Sequence, residues 1–162
     1  MAKKTKIGVL VLLATFLAFA NIFAQESEED VFKAGLEYLN KGDYDWAITE
    51  CTRALQMDPN YFDAYYNRGL AYYYKGKYDR AISDNTKAIE LKPETNAAYI
   101  NRGLAYCAKG DYDQGIADYN VILGRYPEFA MAYNNRAIAY YYKKDYTNAW
   151  KMCIRQNNWD MK

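Results

Sequence analysis

An all-α chain of stacked antiparallel helix pairs is the fold class this sequence predicts, and three observations predict it. The anchors Gly35, Gly69, Gly103 and Ala137 follow one another at intervals of 34 residues, without an insertion. Between Phe62 and Lys75, the residues Tyr65, Gly69 and Tyr72 fall at i, i+4 and i+7, one face of a helix. Glycine and proline recur in the same phase: Gly42, Gly76 and Gly110 as turns inside each pair, and Pro59, Pro93 and Pro127 after it. Two further series keep the register, Tyr38, Tyr72, Tyr106 and Tyr140, and Tyr44, Tyr78, Tyr112 and Tyr146.

The N-terminus stands apart from this pattern. The lysines of MAKKTK, the uncharged run IGVLVLLATFLAFANIFA and the acidic QESEED read together as a secretory signal over residues 1–24. Ala18-Phe19-Ala20 offers one cleavage site; cutting after Ala24, which we favour, leaves Gln25 first. The alternative is an uncleaved anchor over residues 7–24, since the run is nearly long enough to span a bilayer. In both cases the lysines stay inside and the rest of the chain is carried across. The expected location is a bacterial periplasm or the exterior, with an endoplasmic-reticulum route also open. Losing Lys3, Lys4 and Lys6 and no acid takes the formal charge from +1 to −2. A weakly acidic body is not that of a nucleic-acid binder, which needs clustered basic surface.

The domain then occupies residues 25–162 in four units, 28–61, 62–95, 96–129 and 130–162. The first opens with Glu28, Glu29 and Asp30, acids that suit a helix N-terminus, and continues as FKAGLEYLNKGDYDWAITECTRAL from Phe32. In the second, Lys75-Gly76-Lys77 ends one helix, and Ala81, Asn85, Ala88 and Ile89 resume the period of another. Lys92-Pro93 stops that helix, because proline lacks a donor and restricts the residue before it. The third and fourth units repeat the pattern in INRGLAYCAKGDYDQGIADYNVIL from Ile100 and NNRAIAYYYKKDYTNAWKMCIRQN from Asn134. Tyr65, Tyr72 and Tyr78 read as packing residues, with Gly69 where a partner helix approaches closely.

Period and anchors resemble the tetratricopeptide repeat, over Glu28 to Lys162. The resemblance implies a right-handed superhelical solenoid of antiparallel helix pairs, and a non-enzymatic scaffold that binds a protein or peptide partner. In such a stack the first helices line the concave side. The groove-facing stripe is then Tyr66, Asn67, Leu70, Tyr73 and Tyr74, followed by Ile100, Asn101, Leu104, Cys107 and Ala108, and by Asn134, Asn135, Ile138, Tyr141 and Tyr142. Phe32, Lys33, Leu36, Leu39 and Asn40 are the equivalents in the first unit. An apolar groove with a few hydrogen-bonding groups suits a peptide.

In some members an asparagine ladder binds a peptide backbone, and the resemblance carries that role to Asn67, Asn101 and Asn135, whose amides both donate and accept. Lys33 interrupts the ladder in the first unit. The alternative is that these asparagines are solvated or bonded within their own helix pair. Arg68, Arg102 and Arg136 are expected to be structural, each stem covering apolar surface and each guanidinium pairing with a nearby acid or carbonyl. A clamp for acidic C-terminal tails is disfavoured, because Phe32 and Leu36 stand where it needs lysine and asparagine.

The sequence contains no histidine, which removes the commonest general base, the commonest zinc ligand and every Ser–His or Cys–His dyad. No glycine-rich phosphate loop appears either. No catalytic residue, metal or cofactor is therefore expected, and membrane contact only through an uncleaved signal. Cys51 and Cys153 occupy one second-helix position three units apart, at about 10 Å per unit beyond disulfide reach, and read as buried thiols. Cys107 lies on the groove stripe. The last unit ends AWKMCIRQNNWDMK, with Trp150, Ile154 and Trp159 and no further helix. Trp159 folds back as a cap, or the end docks on a second copy or another partner, or sequence has been lost there. The rival functional reading is thus a structural subunit that self-associates, as a homodimer, through its C-terminal end.

Overall fold

The structure is a computed structural model, and it describes residues 27–160. The signal or anchor expected over residues 1–24 lies outside the described residues, as do the side chains of Cys153 and Trp159. The described residues form eight helices and no strand: α1 (Glu28–Lys41), α2 (Tyr44–Met57), α3 (Phe62–Tyr74), α4 (Tyr78–Leu91), α5 (Asn96–Lys109), α6 (Tyr112–Arg125), α7 (Ala130–Tyr142) and α8 (Tyr146–Asp160).

Local chemistry sets the ends of these helices. Ser27 Oγ accepts from Asp30 N at 3.1 Å and the Asp30 carboxylate accepts from Ser27 N at 3.3 Å, a capping box that starts α1. The Ser27 hydroxyl, donating to the Asp30 carboxylate at 2.7 Å, and then the Ser27 backbone N–H hold the Asp30 carboxyl below the usual carboxylate range. Each first helix closes with the same backbone pair; at Gly76 it is Gly76 N to Tyr73 O (2.9 Å) and Lys77 N to Tyr72 O (2.8 Å). The closing residue adopts the left-handed conformation, φ 80° at Gly42, 68° at Gly76 and 93° at Gly110.

In the fourth repeat Lys144 holds that position at φ 66°, with the same two bonds. A side chain is strained there by roughly 1 kcal/mol, because its Cβ crowds the backbone. Lys144→Gly is therefore expected to stabilise the chain by up to about 1 kcal/mol, a rise in melting temperature of roughly 3 °C. A lower melting temperature in calorimetry would contradict this account of the turn.

Each first helix packs on its second helix, α1 on α2 through α7 on α8, and each second helix packs on the next first helix. First helices also touch one another in succession, α1 to α3, α3 to α5 and α5 to α7, whereas no second helix touches another among the described residues. The first helices are thus the short inner side of the stack, and their free faces form its concave wall. The main core lies between the third and fourth repeats, around Tyr99, Ile116, Tyr119, Ile122, Leu123 and Tyr133. A smaller one, with Val31, Phe32, Cys51 and Leu55, closes the N-terminal end. Phe32 differs from its expected place on the groove stripe: it is buried, edge-on to Tyr61 with ring centroids 5.0 Å apart.

An arginine clamp ties successive repeats together. Arg102 binds Asp118 with two parallel bonds (Nε to Oδ2 2.9 Å, Nη2 to Oδ1 2.6 Å) and reaches Thr86 of the preceding repeat at 3.1 Å. Arg68 does the same with Asp84 (2.7 and 2.8 Å) and Thr52 (3.0 Å). Each guanidinium also lies 5.6 Å from the ring of the tyrosine three residues earlier, Tyr65 or Tyr99. In the last repeat Arg136 meets Asn120 and Met152 in place of threonine and aspartate. At the rim, Lys75, Lys109 and Lys143 pair with Asp45, Asp79 and Asp113. These pairs are largely exposed and contribute little individually.

Candidate functional site

The concave wall is built mostly from tyrosine. Tyr73 and Tyr74, at the end of α3, meet edge-on at 5.7 Å, and Tyr74 stacks on Tyr44 of the first repeat at 5.2 Å and 16°. One superhelical step further along but one, Tyr141 and Tyr142 meet edge-on at 5.7 Å, and Tyr142 stacks on Tyr112 at 6.3 Å and 14°. Between them, α5 carries Cys107 and Ala108 at the equivalent positions. A cavity of about 280 Å³ opens there, lined by Tyr73, Leu104, Cys107, Ala108, Tyr112, Ile138 and Tyr142.

No lining side chain carries charge. Burial pushes the Cys107 thiol up. Burial likewise raises Tyr73. Both are neutral at physiological pH, so the cavity offers apolar surface, three phenol hydroxyls and a thiol. No carboxylate, imidazole or amine lines it.

Of the residues expected on the groove, Tyr73, Leu104, Cys107, Ala108, Ile138 and Tyr142 come together in this cavity. Tyr66 instead lies nearly parallel to Phe62, 6.1 Å away, and Ile100 packs against the main core. Leu70 is half-buried, and Tyr74, Asn134 and Tyr141 are exposed. The asparagines are not equivalent. Asn67 Nδ2 donates to the Asp63 carbonyl one turn back, at 2.7 Å. Asn101 is buried, with its Nδ2 covered and without a hydrogen-bond acceptor. Asn135 is half-buried.

Sequence reasoning placed Tyr44 and Tyr112 in the register of packing tyrosines and missed that they extend the concave wall. The signal was a spacing of 30 residues, from Tyr44 to Tyr74 and from Tyr112 to Tyr142, that fails only between Tyr78 and Ala108. The wall also continues past α7. Ile138, Tyr141 and Tyr142 join Ala137, Tyr146, Ala149 and Trp150 around a second hollow of about 530 Å³. Trp150 there is 68% exposed and Tyr146 59%. Among the described residues, no helix is long and apolar enough to cross a membrane.

Tetratricopeptide repeat models match residues 62–94 and 100–150, and a TPR repeat model matches 35–74. No curated protein sequence matches the chain. Among solved structures, a crystal structure of MamA protein is 28% identical, with a TM-score of 0.75 over 80% of this chain and 70% of that one. MamA 41-end from Desulfovibrio magneticus RS-1 is 23% identical with a TM-score of 0.80, over 85% and 77%, a likeness of fold. The first TPR domain of the human RPAP3 protein is 27% identical with a TM-score of 0.68, over 75% and 95%.

Proposed function

The chain belongs to the tetratricopeptide repeat family, whose fold is a protein-interaction scaffold, and on that premise we propose that it holds an uncharged peptide segment of a protein partner along the concave wall, without catalysing a reaction. The observation that carries this reading is the cavity itself: α3, α5 and α7 each contribute to one uncharged, apolar surface with hydroxyls at its edge. Such a surface gives an extended segment apolar anchoring and a few fixed hydrogen bonds. In this reading Asn67 and Asn135 bind the peptide backbone, Asn67 by exchanging its bond to the Asp63 carbonyl, whereas the covered amide nitrogen of Asn101 takes that part only if its side chain shifts. The place of action is outside the cytoplasm, a reading supported by the lysine-led apolar run of residues 1–24.

The test is partner retention on the immobilised chain, beside Tyr73→Ala/Tyr142→Ala of equal helicity. Removing two aromatic anchors is expected to weaken binding roughly 30- to 140-fold, at about 1–1.5 kcal/mol each. Equal retention by both proteins would move the working surface elsewhere.

A second reading, self-association through α7 and α8, is favoured by the exposed Tyr141, Tyr146 and Trp150 around the larger hollow. Sedimentation velocity distinguishes it: a dimer that Trp150→Asp dissociates supports this reading, and a wild-type monomer at high concentration removes it.

A further inference from the structure

Positions 74, 108 and 142 are equivalent in the repeat, and so are 73, 107 and 141. The second and fourth repeats fill both with tyrosine, and the third fills them with cysteine and alanine. Where the tyrosine is present it stacks on a tyrosine of the preceding repeat, Tyr74 on Tyr44 and Tyr142 on Tyr112. At the middle junction the equivalent positions hold Tyr78 and Ala108, and the Tyr78 ring leans on Tyr73, at 5.8 Å and 52°. The cavity of about 280 Å³ is bordered by Ala108 together with Tyr73, Tyr112 and Tyr142, and Tyr78 is not among its lining residues. Pockets for whole small ligands run from about 300 to 1,000 Å³. This one has the size of a side-chain subsite.

The lining selects chemistry as well as size. It holds no charge, and a charged group placed against it would lose its water without gaining a partner. Three of its seven lining residues are tyrosines, and aromatic rings attract one another at centroid distances of about 4.5–7 Å beyond what burial alone provides. The chain's own stacks, at 5.2 and 6.3 Å, lie in that range. Cys107 is held at its present size because its sulfur packs against Gly115. Ala108 is exposed and meets no such limit.

Resting on the groove reading above, we propose that the gap at Ala108 is a subsite for one aromatic ring, of a phenylalanine or tyrosine, from an otherwise uncharged peptide segment of the partner. The ring lies beside the short Ala108 side chain, among Tyr73, Tyr112 and Tyr142. Ala108 is then the residue that sets specificity, since a larger side chain there closes the subsite without touching the core.

The probe is a displayed library of random short peptides, panned in parallel on the full chain and on Ala108→Tyr. Ala108→Met, which fills the gap without a ring, serves as a second variant. Wild type is expected to enrich peptides with one phenylalanine or tyrosine at a fixed place among uncharged neighbours. The selected peptide is expected to bind both variants at least tenfold more weakly, and its alanine analogue to bind all three proteins alike. Enrichment of aromatic-free peptides equally by all three would overturn the subsite and leave the groove reading standing. No enrichment on wild type would overturn both.

Discussion

Tyr119→Ala is expected to cost about 4 kcal/mol of folding stability, measured by urea unfolding, because it empties the centre of the main core. The ring is fully buried, among Tyr99, Ile116, Ile122 and Tyr133. It lies against Gly103, where an added Cβ would come 2.7 Å from Tyr119 Cε1. Gly103→Ala alone is therefore expected to cost about 1–3 kcal/mol through overpacking. In the Tyr119→Ala background the same change meets open space, and its cost is expected to vanish. The double variant should thus be less unstable than the sum of the two single ones. Strict additivity would show that the glycine does not serve the close approach of α5 and α6.

Asp118→Ala is the second large effect, expected at about 3 kcal/mol, or a fall in melting temperature of roughly 10 °C for a chain of this size. Arg102 holds its charge firmly: its hydrogen bond to Asp118 raises the guanidinium above its ordinary value, against the opposing effect of burial. Removing the carboxylate leaves that charge in place, with its side chain only 18% exposed. Thr86 and the Tyr99 ring remain as partial compensation, which sets the cost at the low end for a broken buried pair. Asp118→Asn, which keeps one acceptor, is expected to lose about half as much. Because Arg102 also joins the second repeat to the third, unfolding of Asp118→Ala should broaden as the two halves uncouple. A cost under about 1 kcal/mol would place this pair with the weak surface pairs at the rim.

The fold was legible because independent local signals coincide at one period. Gly76 ends a helix, Pro93 stops the next, and Gly69 admits a neighbour, all recurring in the same phase. Lys144 was less legible. Its left-handed turn is imposed by the two backbone bonds that close α7, and its side chain gives no sign of it.

The groove was legible by face and not by shape. Helical spacing placed Tyr73, Leu104, Ile138 and Tyr142 on one stripe, but the rings that stack across repeats are set by superhelical pitch and rotamers. The substitution of Cys107 and Ala108 for a tyrosine pair is visible in the sequence, whereas the cavity it produces depends on walls supplied by two neighbouring repeats. The asparagines show the same limit. Their recurrence is plain, yet Asn67 bonds within its helix while the Asn101 amide nitrogen is covered, because the local packing around each differs. The Arg102–Asp118 and Arg68–Asp84 pairs lie 16 residues apart in both cases, a regularity that a search for spaced opposite charges in equivalent repeats would have found.

Amide hydrogen exchange of the full chain, with and without the peptide segment of its partner, tests the central claim most directly. The account predicts slowed exchange in α3, α5, α7 and the start of α6 at Tyr112, strongest around Tyr73, Leu104 to Ala108 and Ile138 to Tyr142, with α4 and the rest of α6 unchanged. Protection confined to α8 around Trp150, or to the second helices, would contradict it.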